Sequence, residues 1–82
     1  MNRIEMKADI DLDMRKAVIK SLGSEAMTTV VVIDNPMTGF PIAAILGFET
    51  VYPYLNETID EFEERVDALF EPTIQRNRRL AS

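Results

Sequence analysis

The chain reads as an α+β protein, a small βαββα two-layer sandwich with a three-stranded antiparallel sheet in the order 1-3-2 and two helices on one face. Three observations predict this. Apolar and charged residues alternate over residues 3–12, an apolar hairpin occupies 27–48, and two segments beyond Asp13 and Asn56 carry apolar residues at helical spacing. With 82 residues there is room for one such domain and no second. The expected division is a single domain over 1–72 and a flexible basic tail over 73–82.

The first strand rests on Ile4, Met6, Ala8, Ile10 and Leu12 alternating with Glu5, Lys7, Asp9, Asp11 and Asp13, the period of a strand with one dry and one wet face. A helix begun as early as residue 9 would align Ile10, Met14, Val18 and Leu22, so this boundary is ambiguous. The preferred division makes Asp13 the N-cap of a helix over 14–22, with Met14, Ala17, Val18 and Leu22 inward and Gly23 ending it in a left-handed conformation.

Met27 to Ile33, with three consecutive valines, predicts the second strand, and Phe40 to Phe48 predicts the third. Between them, Asn35-Pro36 opens a turn and Gly39 supplies positive φ. Pro41 lacks a donor and belongs at a strand start or beside an unpaired edge. After a connection over 49–55, Thr58-Ile59-Asp60-Glu61 matches a capping box, and Ile59, Phe62, Val66, Leu69 and Phe70 form one stripe before Pro72 stops the helix. This element order resembles a ferredoxin-like plait lacking its last strand. The resemblance concerns order alone and implies no activity.

The chain contains no cysteine and no histidine, which removes disulfides, thiol and triad nucleophiles, most zinc sites and the commonest general base. No cofactor is expected and the protein is read as non-enzymatic. Nine basic against 14 acidic residues give a net charge of −5, the wrong sign for wrapping a phosphate backbone, so no direct nucleic-acid partner is expected. No run approaches a bilayer-spanning length and the first residues lack a secretory apolar core, so the expectation is a cytoplasmic protein with no membrane partner.

Four groups of residues are candidates for function. The hairpin is apolar on both faces, and two helices on one face would leave Val31, Ile33, Ala43 and Ile45, or their register partners, either exposed as an interface, with homodimerisation the natural use, or covered by the 49–55 loop or the tail. Tyr52-Pro53-Tyr54 offers a docking platform beside the second helix, or simple packing. Residues 57–71 hold Glu57, Asp60, Glu61, Glu63, Glu64, Asp67 and Glu71 against the single Arg65, a net −6 that is either a solvated face or one that binds a basic partner. Asp9, Asp11 and Asp13 alternate about 7 Å apart on a strand and are weak metal candidates, although the glycine and glutamate of an EF-hand are missing.

The expected function is a small regulatory or inhibitory module that binds another protein, resembling in composition the acidic inhibitors of phages and accessory bacterial elements. An acidic DNA-mimic using the 57–71 face is the alternative, and a carboxylate-dependent divalent-metal enzyme the second. Arg76, Arg78 and Arg79 of the tail are expected either to fold back on the acids or to reach an acidic partner.

Overall fold

The valine-rich run becomes a central strand of a four-stranded sheet. The computed structural model describes residues 4–7, 12–71 and 75–81. In chain order they form α1 (Leu12–Leu22), a 3-10 turn (Gly23–Met27), β1 (Thr29–Asp34), β2 (Pro41–Leu46), β3 (Glu49–Val51), α2 (Ile59–Leu69) and β4 (Gln75–Leu80). The sheet order is β3-β2-β1-β4. β2 runs antiparallel to both β1 and β3, whereas β4 lies parallel to β1, with Thr29 opposite Gln75 and Asp34 opposite Leu80.

The α+β class holds, and the predicted sheet is corrected: it has four strands, is mixed, and does not take the order 1-3-2. The alternating segment at 3–12 supplies none of its strands among the described residues. Residues 4–7 make one bridge, Glu5 opposite Tyr54, with Met6 N–H donating to the Pro53 carbonyl at 2.7 Å and Leu55 N–H to that of Ile4 at 2.6 Å. Ile4 and Met6 stay exposed, so alternation here marks no dry face. Residues 8–11 lie outside the described residues.

The hairpin forms as expected. The Asn35 side-chain oxygen accepts from Met37 N–H at 2.8 Å, Gly39 has φ +74°, and Pro41 opens β2. Beyond it the chain turns again through Gly47, at φ +57°, into β3, a strand assigned above to a connection. A Cβ on Gly47 would strike the Met27 thioether.

Two dry faces demand two covers, and each helix supplies one. α2 connects β3 to β4, strands from opposite edges of the sheet. It therefore crosses the face carrying Val30, Val32 and Ala44, against which Phe62, Val66 and Phe70 pack. α1 covers the other face, where Val18 packs on Val31, Ile33 and Ile45 with Met14 and Leu22 beside them. The helices therefore lie on opposite faces, not one. Burying these aliphatic and aromatic side chains contributes about 1.5–3 kcal/mol each. α1 begins before Asp13, so that carboxylate sits in the first turn, where it complements the helix dipole rather than preceding it as a cap. Ala17, Ile59 and Leu69 are exposed rather than inward.

Candidate functional site

The start of α2 is built from the inside out by one ion pair. Glu57 reaches Arg65 through two hydrogen bonds of 2.8 Å, and Arg65 also donates to the Tyr52 carbonyl at 2.8 Å. Its guanidinium lies 4.0 Å from the Tyr54 ring centroid. The Glu57 side chain is only 2% exposed and also accepts from Tyr54 N–H. The hydrogen bond to Glu57 raises the Arg65 pKa, against an opposing effect of burial. Beside it the expected capping box is present: Thr58 Oγ1 accepts from Glu61 N–H at 3.1 Å, and Glu61 returns the bond to Thr58 N–H at 3.0 Å.

Against this corner stands the turn end of the β1–β2 hairpin, and between them opens a groove of about 1060 Å³. Phe40, Pro41 and Ile42 form one wall; Pro53, Tyr54, Ile59 and Phe62 form the other, with Met6 at one margin. Phe40, Ile59 and Met6 are large apolar side chains with substantial solvent exposure, and Met37 at the hairpin tip is 93% exposed. Among the described residues, the charged ones lining the groove are Glu57 and Asp60, both acidic.

The residues singled out from the sequence scatter. Val31, Ile33, Ala43 and Ile45 are at most 1% exposed, so the interface expected there is interior, occupied by the chain's own α1 and its sheet partners. Tyr52 and Tyr54 are half-buried around Arg65, and Tyr54 also lines the groove. Of the acids, Glu57 and Glu61 stabilise the corner. Glu63 and Asp67 bind Arg76, and Glu63 also binds Arg78. Asp60, Glu64 and Glu71 are exposed.

The basic tail is therefore a strand whose arginines neutralise part of the acidic helix. Arg78 further clasps the nearly buried Asp34 through bonds of 2.9 and 2.7 Å, and this carboxylate, followed by Glu63, raises its pKa. Arg79 donates to Ser21 Oγ of α1 at 2.7 Å. Asp9 and Asp11 lie outside the described residues, and Asp13 is in α1. Among the described residues no group of three or more acidic, cysteine or histidine side chains gathers as a metal site.

Phe40, Ile42 and Ile59 were not singled out for a site, because period-based reading assigns each to a core face. The turn chemistry of Asn35-Pro36, the Tyr52-Pro53-Tyr54 platform, the Thr58 cap and the acids Glu57 and Asp60 are the sequence features that fall at this corner. The fold and groove define an α+β sandwich with a helix on each face of a mixed sheet and an apolar cleft at one end. Compared with protein-family models, curated proteins and solved structures, the chain has no match. Among the described residues no helix is long and apolar enough to cross a membrane.

Proposed function

We propose that this chain acts by binding another protein, as a small non-enzymatic regulatory or inhibitory module whose contact surface is the groove between the turn end of the hairpin and the start of α2. The observation that carries this reading is the presence of solvent-accessible Phe40, Ile59 and Met6 around one concave apolar surface. Aromatic side chains and methionine are enriched at protein interfaces, where a few buried anchors carry most of the binding energy. The strongly buried charged groups nearby, Glu57 and Asp34, are bound to Arg65 and Arg78, which is the use of charge that holds a scaffold together.

Homodimerisation through an uncovered hairpin face loses its premise, because α1 covers that face. The DNA-mimic reading is weakened in the same way: Arg76 and Arg78 pair with carboxylates of the helix that would imitate phosphates. The test is site-specific photo-cross-linking in native host cells, with benzoylphenylalanine at position 40 and, separately, at the exposed Phe48 outside the groove lining. A discrete adduct with another protein from position 40 alone is expected. Adducts at neither position, or equal adducts at both, would contradict the assignment.

A further inference from the structure

We infer that the groove receives an amphipathic helix of a partner protein, with an apolar stripe flanked by lysine or arginine. This rests on the protein-binding reading and adds the shape and charge of the partner. At about 1060 Å³ the groove stands at the upper end of the roughly 300–1,000 Å³ usual for small-molecule sites and has volume for several side chains of one helical stripe. Pro41 and Pro53 in its walls have no N–H group, which leaves that surface poor in the main-chain donors that strand addition uses. An apolar helix face needs none.

Charge selects the flanks. Among the described residues that line the groove, the ionised ones are Glu57, engaged by Arg65, and the exposed Asp60, and none is lysine or arginine. Glu64 is exposed one turn beyond Asp60 on the same side of α2. A basic flank meets complementary charge there, whereas a second copy of this chain brings a further net −5 toward an acidic rim.

The experiment titrates the ¹⁵N-labelled full chain with two synthetic amphipathic helices that share a leucine stripe, one flanked by lysine and one by glutamate, and follows the amide spectrum. The lysine-flanked peptide is expected to shift Phe40, Ile42, Tyr54, Ile59 and Asp60 and to saturate, while the glutamate-flanked peptide leaves them unmoved. Phe40→Asp and Ile59→Asp, both at exposed positions, should keep a dispersed spectrum and weaken binding by about tenfold or more. Asp60→Lys should weaken the lysine-flanked peptide and admit the other.

Equal binding of both peptides in the groove would overturn the basic-partner inference and leave the protein-binding reading standing. So would shifts confined to Asp67 and Glu71, or groove shifts produced by raising the chain's own concentration. If neither peptide moves the groove, the inference fails. The cross-link from position 40 then separates the cases, since an adduct preserves the broader reading and its absence removes that as well.

Discussion

Arg65 and Arg78 show how single residues hold this small chain together. Each guanidinium serves a carboxylate that is shielded from water, Glu57 and Asp34 respectively, by paired hydrogen bonds. Removing Arg65 would leave Glu57 almost fully buried without its counter-charge. Arg65→Ala is therefore expected to cost about 3 kcal/mol in chemical denaturation, and Arg65→Lys, which keeps charge but not the fork, to recover less than half of it. A loss below about 1 kcal/mol would mean that water reaches Glu57.

The pH dependence has a defined sign. Both arginines have pKa values raised in the folded chain, so their contribution is complete below the unfolded value and is lost only as pH rises through the raised one. The difference in Tm between the native chain and Arg78→Ala should thus stay constant from about pH 7 to about pH 10. A difference that shrinks over that range in thermal melts would contradict the assignment.

At the scale of elements, β4 is the least conventional strand. Gln75 to Leu80 offers Leu80 as its single large apolar side chain, and that residue is exposed. β4 is held by its parallel ladder to β1 and by Arg76 and Arg78 reaching Glu63, Asp67 and Asp34. Exposed ion pairs are screened by salt, whereas the apolar packing of β1 and β2 is not. In native-state hydrogen exchange, β4 amides and the β1 amides that face them should exchange markedly faster at about 1 M salt than at low salt, with β2 and the β1 amides that face β2 unchanged. Equal protection at both salt concentrations would show that the ladder alone holds β4.

The same element explains where sequence reading stopped. A run such as QRNRRL has no period-two apolar face, so nothing in its pattern announces a strand; its pairing depends on acids far away in the chain. β3 was better signalled, because Gly47-Phe48 is a two-residue loop followed by Thr50-Val51, but three residues give too short a pattern. By contrast the Thr58–Glu61 cap, the Asn35 turn and the stop at Gly23 were legible, since each is settled by local chemistry. The alternation from Ile4 to Leu12 misled because period alone does not say whether a partner strand exists.

For the whole molecule, the decisive feature is a hairpin apolar on both sides. Its composition was legible, but which elements cover it was not: the sequence reading left one face for a partner or for the 49–55 loop or tail, whereas α1 and α2 each take one. That arrangement moves the interaction surface from the sheet to the groove at one end, where Phe40 and Ile59 meet solvent. It also turns Val31 from an interface residue into a core residue, at 0% exposure between β2 and β4 and beneath α1. A chain of this size has a total stability of about 4–12 kcal/mol, and an unpaired carboxylate at that position costs more than about 4 kcal/mol. Size-exclusion chromatography with light scattering on Val31→Asp measures this directly. An expanded or aggregated chain with no compact peak is the expected result, and a compact, folded species of lower assembly mass than the native protein would contradict it.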